Sequence, residues 1–380
     1  MSNQDKVVIS KTELYDLLLE KSEGKENITF IFGAGASFGY TEYPHIRYVP
    51  PVVADLFNEA NPTVKTVIND PRHVYVLRQR DYLIEALENF DNDLEKYLSF
   101  LYNRNDDDET FSDILIYIQD LCWLASKEID IAENNYINLI NRMCTLRGRL
   151  PWSCISFNYD TIFEKSFVAA GRDRTRHFND SNDYLSKTPK VLKMHGSINF
   201  RYTIEELKSS PRRSERNVFS AMMREKTLSG SSFLAQPLEA KLPEFLSGSE
   251  KWNSKKQSYE VYSAYNYPLM MIPIHNTKRP EHPFFQDILE EARREIDASS
   301  LVIAVGYNFG DELLLEQLKK IDLSNKELIL VGTNTLHKDP ESHRGYQNSV
   351  NNWIGARIRV FEGNGFGDFV RAAKRRLPTQ

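Results

Sequence analysis

Cysteine is scarce in this 380-residue chain: Cys122, Cys144 and Cys154 are scattered, and no C-x-x-C pair occurs. That pattern excludes a cysteine-built zinc ribbon and a disulfide framework. Scattered thiols fit a reducing, cytoplasmic setting. Long apolar runs are missing too. None approaches the roughly 20 residues that a membrane-spanning helix needs, and the opening Met1-Ser2-Asn3-Gln4-Asp5-Lys6 has no signal-peptide pattern. The expectation is a soluble cytoplasmic protein with no membrane partner. Nor is there an excess of basic charge. The net charge of −5 argues against a protein that coats nucleic acid with its whole surface. The short clusters Arg212-Arg213-Ser214-Glu215-Arg216 and Lys374-Arg375-Arg376 read as solvated faces, so no direct sequence-specific nucleic-acid binding is expected. No clustered metal-binding carboxylates speak for a metal-dependent nuclease, and no metal is expected. What remains, 41% hydrophobic and 27% charged residues, is a globular chain large enough to bury a core without staples.

The stretch Ile28-Thr29-Phe30-Ile31-Phe32 runs directly into Gly33-Ala34-Gly35-Ala36-Ser37. A short apolar run reads as a buried parallel strand, and glycines just beyond it permit a tight turn with close backbone approach. Such a turn aims free N–H groups at a phosphate. The dinucleotide pattern G-x-G-x-x-G is incomplete, because Phe38 takes the third glycine's place. Taken alone, the loop is either a pyrophosphate site or a turn with no ligand.

The same design recurs. Residues 11–21 predict an amphipathic helix, and Val52 to Asn58 a short one. Trp152 to Phe157 predicts a strand that runs into Asn158-Tyr159-Asp160-Thr161 and a helix over Ile162 to Ala169. Val191 to Met194 leads to His195-Gly196-Ser197. Order returns at Pro268 to Ile274 and a helix over about 284–297. Leu301 to Val305 ends at Gly306-Tyr307-Asn308-Phe309, with a helix from Asp311. Glu327 to Val331 ends at Gly332-Thr333-Asn334. Arg357 to Phe361 is a last strand, before a helix from Phe366. Strands alternating with helices predict an α/β fold built on a doubly wound parallel sheet. Two segments break the rhythm. Over about 72–149, Leu83, Leu87, Leu94, Tyr97, Leu98 and Leu101, then Ile114, Ile118, Leu121, Ile137 and Ile140, recur at helical spacing, which predicts a helical insertion. Residues 201–267 are polar and carry Ser-Gly pieces, the mark of a second, smaller insertion.

Ligands of doubly wound sheets sit at the carboxyl ends of the strands, so the five exits are the candidate site. Each has a plain reading as well: Asn158 as a turn residue, Asp160 as a helix N-cap, His195 as a satisfied buried histidine. Taken together and in order, Gly33-Ala34-Gly35-Ala36-Ser37, Asn158-Tyr159-Asp160, Lys193-Met194-His195-Gly196-Ser197, Val305-Gly306-Tyr307 and Val331-Gly332-Thr333-Asn334 resemble the sirtuin-like domain. The match is nearest to its zinc-free branch found in prokaryotic anti-phage defence systems. The resemblance covers about 25–70, 150–200 and 268–380 and omits both insertions. It implies a single domain over 1–380 with a sirtuin-like Rossmann variant as its core.

The departures are informative. Deacylase sirtuins carry a four-cysteine zinc module, which this chain lacks, and follow the glycine loop with Pro-Asp-Phe-Arg, where Pro44-His45-Ile46-Arg47 stands here. The resemblance therefore implies hydrolysis of NAD+ to ADP-ribose and nicotinamide rather than protein deacylation. NAD+ would be the substrate, Asn158 and His195 the catalytic pair. Gly33, Ala34, Gly35, Ala36 and Ser37 would hold the pyrophosphate; Gly306, Tyr307, Gly332, Thr333 and Asn334 the adenosine half; and Asp160 would lie among the binding residues. It also implies self-association and a separate trigger subunit, a HerA-like hexameric ATPase or, as runner-up, a prokaryotic Argonaute. The competing expectation is a module that senses NAD or ADP-ribose without turnover. A hydride-transfer dehydrogenase is disfavoured by Phe38 and by Asp55, which falls in an expected helix rather than at a strand end.

Overall fold

The computed structural model describes residues 8–40, 48–73, 76–77, 79–90, 94–103, 108–127, 134–146, 151–171, 181–204, 232–235, 250–253, 258–261, 265–270, 283–333, 336 and 338–373. Pro44-His45-Ile46-Arg47, both basic clusters and Asn334 lie outside these residues.

Among the described residues, seven strands form one all-parallel sheet in the order β1-β12-β11-β10-β2-β3-β4. They are β1 (Val8–Ile9), β2 (Asn27–Phe32), β3 (Trp152–Ser156), β4 (Lys190–Lys193), β10 (Ser299–Val305), β11 (Glu327–Val331) and β12 (Arg357–Phe361). Successive side chains of a strand point to opposite faces, and here both faces are buried. On β2, Ile28, Phe30 and Phe32 enter one core and Ile31 the other. On β10, Leu301, Ile303 and Val305 join the first, Val302 and Ala304 the second. Near-continuous apolar runs are what a sheet covered on both sides demands.

The helices that cover the sheet start where their sequences say they should. Helix α1 (Lys11–Glu23) opens with a capping box: Ser10 Oγ accepts from Glu13 N at 3.2 Å, and Ser10 N donates to the Glu13 carboxylate at 2.8 Å. After α2 (Ala34–Phe38), the expected helix over Val52 to Asn58 shrinks to one 3₁₀ turn at Val53–Asp55. The helix forms later, as α3 (Pro62–Ile68), because Asn61 caps it and Pro62 occupies its first position.

Among the described residues, the segment at 72–149 packs into the two cores that flank the sheet. Helices α4 (Arg80–Glu88), α5 (Leu94–Asn103) and α6 (Asp108–Lys127) send Leu83, Leu87, Tyr97, Leu98, Ile114 and Ile118 into the core on one face of the sheet. Helix α7 (Asn135–Thr145) sends Tyr136, Leu139, Ile140 and Met143 into the other. Helix α8 (Ile162–Ala169) follows β3, and α9 (Ser181–Ser186) precedes β4.

A smaller antiparallel sheet, in the order β6-β5-β9, leaves the site directly: β5 (Gly196–Ile204), β6 (Ser232–Ala235) and β9 (Tyr265–Met270). The order expected from Pro268 onward therefore begins in this side sheet. Pro268 cannot donate to a ladder, and β9 is an edge strand. A hairpin of β7 (Glu250–Asn253) and β8 (Ser258–Val261) stands alongside in the sequence. The chain then completes the parallel sheet with α10 (Pro283–Ala298), α11 (Glu312–Leu318), α12 (Arg344–Asn352) and α13 (Gly365–Ala373).

Candidate active site

The five strand exits are neighbours. Four hydrogen bonds tie them into a row: Gly306 N to Val331 O (3.0 Å), Gly33 N to Val305 O (3.0 Å), Phe157 N to Phe32 O (2.9 Å) and Met194 N to Ser156 O (2.9 Å). In front of that row lies a cleft of about 470 Å³, within the range of small-molecule sites. Gly33, Ala34, Asn158, His195, Gly306, Tyr307, Gly332 and Thr333 line it. Gly35, Ala36, Ser37 and Asp160 are not part of that lining.

The glycine turns are shaped by each other. Gly35 N donates to Gly306 O at 3.2 Å, and a Cβ on Gly35 would meet Gly306 Cα at 2.9 Å. Gly306 has φ +58°, and a side chain there would strike the Gly35-Ala36 backbone. The glycines thus serve a backbone-to-backbone contact between the turns after β2 and β10, and this contact brings Gly33 and Ala34 to the cleft wall.

Asn158 is 8% exposed and fully directed by this loop. Its Nδ2 donates to Gly33 O at 2.9 Å and to Ser37 Oγ at 2.9 Å. Both amide hydrogens are spent, so the side chain can offer the cleft only its acceptor, Oδ1. Ser37 Oγ in turn meets the Tyr136 hydroxyl at 3.3 Å. Burial, and secondarily the Asp160 charge, push the Tyr136 phenol well above its ordinary value, so it stays neutral.

His195 follows β4 and precedes Gly196, whose φ of +76° turns the chain into β5. Its Nε2 lies 2.8 Å from the Asp311 carboxylate. Phe157 meets the imidazole edge-on with centroids 5.1 Å apart, and Tyr307 stacks on Phe157 at 4.3 Å. The Asn-Tyr-Asp and His-Gly-Ser segments are stitched at Tyr159 O, which accepts from Ile198 N (3.0 Å) and Ser197 Oγ (3.2 Å). Beneath them Lys193, 1% exposed, donates to Asp160 O at 2.6 Å and pairs with Glu164 at 3.2 Å. Asp160 Oδ1 accepts from Ile162 N at 3.0 Å. In this arrangement Asp160 starts α8 and anchors Lys193 rather than facing the cleft. Burial, then the Asp160 charge, push the Cys122 thiol far up, which leaves it inert as a nucleophile.

Several lining residues escaped the sequence reading: Asp311, Phe157, and His343, Arg344, Gly345 and Tyr346 at the start of α12. Asp311 carried one visible signal, the position of an N-cap before Leu313-Leu314. The α12 residues carried none. Among the described residues, no group of three or more His, Cys, Asp or Glu side chains could hold a metal ion, and no helix is long and apolar enough to cross a membrane.

The fold and site define a doubly wound α/β protein with a cleft at the carboxyl edge of its sheet. The family model of the SIR2-like domain matches residues 153–351, more than half of the chain, and the protein belongs to that family. The SIR2-like fold points to an NAD-utilising activity. Among solved structures, a Sir2 homologue in complex with NAD matches at 12% identity over 94% of this chain and 92% of the other, with a TM-score of 0.40. A Sir2 homologue mutant in complex with 2'-O-acetyl ADP-ribose matches at 12% identity over 94% and 95%, with a TM-score of 0.43. No curated protein matches the chain.

Proposed function

We propose that this protein hydrolyses NAD+ to ADP-ribose and nicotinamide, as the effector of a bacterial anti-phage defence system that depletes cellular NAD when triggered. One observation supports this reading above the others: Asn158 and His195 meet at a single cleft, one restricted to accepting through Oδ1, the other held by a carboxylate. Cleavage of the nicotinamide–ribose bond passes through an oxocarbenium-like state, as in glycoside hydrolysis. Nicotinamide leaves readily because it carries a positive charge in NAD+, so no strong general acid is required. The protein's task is to hold the ribose, exclude bulk water and position one water. Asn158 Oδ1 accepts from a ribose hydroxyl or that water, and His195 takes the proton. Gly33 and Ala34 face the pyrophosphate, and Gly306, Tyr307, Gly332 and Thr333 the adenosine half. Self-association and a HerA-like ATPase as trigger belong to the same proposal.

The test is nicotinamide release from NAD+, by the protein alone and with the protein encoded beside it. Asn158→Ala and His195→Ala are expected to lower turnover by about 10²-fold or more while still binding NAD+. Binding without release in either mixture would identify a sensor instead. Release that survives both substitutions would remove these residues from the chemistry.

A further inference from the structure

Asp311 is the first residue before α11 and sits 116 residues from His195 in sequence, yet its side chain is only 4% exposed and both of its oxygens are engaged. Oδ1 accepts from Leu314 N at 3.0 Å and caps α11; Oδ2 faces His195 Nε2 at 2.8 Å. An ionised carboxylate has no proton to give, so the proton in that contact belongs to Nε2. A neutral imidazole carries one N–H. If Nε2 holds it, Nδ1 is the basic atom.

We propose that Asp311 is the positioning residue of the site: it locks His195 in the Nε2–H tautomer, so that Nδ1 is the atom that accepts the proton from the ribose hydroxyl or water. Resting on the hydrolase reading, this deepens it. The carboxylate also offsets the positive charge that His195 acquires on taking that proton. Anchoring at a helix cap makes the carboxylate rigid, since rotating it toward the cleft would break the bond to Leu314 N as well. Phe157, nearly perpendicular to the imidazole at 83°, packs against the ring from another side.

Asparagine separates this role from a structural one. Asn is as good an N-cap as Asp, but it has one acceptor where Asp has two. With Oδ1 capping Leu314 N, Nδ2–H points at the imidazole and demands a lone pair on Nε2, which moves the proton to Nδ1. The experiment is long-range ¹H–¹⁵N spectroscopy on the full chain labelled with ¹⁵N-histidine, at mildly alkaline pH, with His195 assigned by the signals lost in His195→Gln. The wild-type protein is expected to show the Nε2–H tautomer. Asp311→Asn should show the Nδ1–H tautomer, with kcat lower by about 10²-fold or more and KM within about threefold, at an unchanged far-ultraviolet dichroism. Asp311→Ser, which keeps a capping oxygen and has no carboxylate, serves if the asparagine variant does not fold: it releases Nε2, so the tautomers should become mixed and kcat should fall. A wild-type Nδ1–H tautomer overturns the proposal. So does a kcat loss without a change of tautomer, or a change of tautomer without a kcat loss. If no nicotinamide is released by any form, the hydrolase reading fails and the tautomer alone decides the dyad.

Discussion

Asn158 does not choose its orientation; Gly33 O and Ser37 Oγ impose it. Ser37 therefore acts on the site without lining the cleft. In Ser37→Ala, one N–H of a buried amide has no partner, which costs about 1–3 kcal/mol and lets the side chain rotate. Turnover of NAD+ is expected to fall about 10-fold, the equivalent of ~1.4 kcal/mol, with a lower melting temperature. Wild-type turnover in this variant would show that Asn158 needs no support from Ser37. Tyr136, neutral because of its raised pKa, adds no titration of its own to the pH profile. At this scale the sequence was legible in residue type and not in role. The small residues of the glycine loop were recognisable, but whether they face a phosphate or another turn was not. That depended on Gly306 arriving from a strand just over 270 residues later.

Strands and most helices were readable because period and punctuation are local. β2, β3, β10 and β11 are largely apolar runs with glycine or Asn close behind them, whereas α3 starts at Asn61-Pro62, a capping signal that the expected Val52–Asn58 helix displaced. The Val52–Asn58 helix failed to form because no comparable start signal precedes it. The junction between α1 and β2 carries a testable pH dependence. Lys21 Nζ bonds the Glu26 carboxylate at 2.8 Å, and that bond holds the carboxyl below its ordinary value. A lowered folded-state pKa means that the pair stabilises the fold above the unfolded value of about 4.5 and stops doing so as pH falls through the lower, folded value. Glu26 is partly exposed, so solvent screening limits the gain to about 0.2–1 kcal/mol. In urea titrations Glu26→Gln should be less stable than wild type at neutral pH, and the gap should close as the pH drops below 4.5. A gap that stays constant through that range would dismiss the pair as a source of stability.

The whole molecule brings two faces of one sheet, two side segments and a single edge cleft together. Helices α4–α6 and α7 share the 72–149 stretch and lie on opposite faces. Two of its residues touch segments of the site: Ser126 Oγ accepts from Thr161 N at 3.0 Å at the start of α8, and the Tyr136 hydroxyl meets Ser37 Oγ. A ligand filling the cleft binds the folded chain and not the unfolded one, so NAD+ at about 100 times its dissociation constant should add ~2.7 kcal/mol to stability. A thermal shift measured with His195→Ala, which on the proposed mechanism does not consume the ligand, is the direct check. No shift at saturating NAD+ would count against the cleft as its site. Gly306→Ala, strained at φ +58° and driven into the Gly35-Ala36 backbone, should melt lower and lose the shift.

By itself the sequence determined the class of the fold, the strand exits and the residue types gathered at them, because apolar period, glycine turns and helix caps act over a few residues. Tertiary structure alone decided which exits stand side by side, that the Asp160 main-chain carbonyl receives Lys193, and that Asp311 meets His195. Those outcomes rest on the order in which strands pair and on packing between residues distant in sequence, 33 positions for Asp160 and Lys193 and 116 for His195 and Asp311, and no local pattern carries that information.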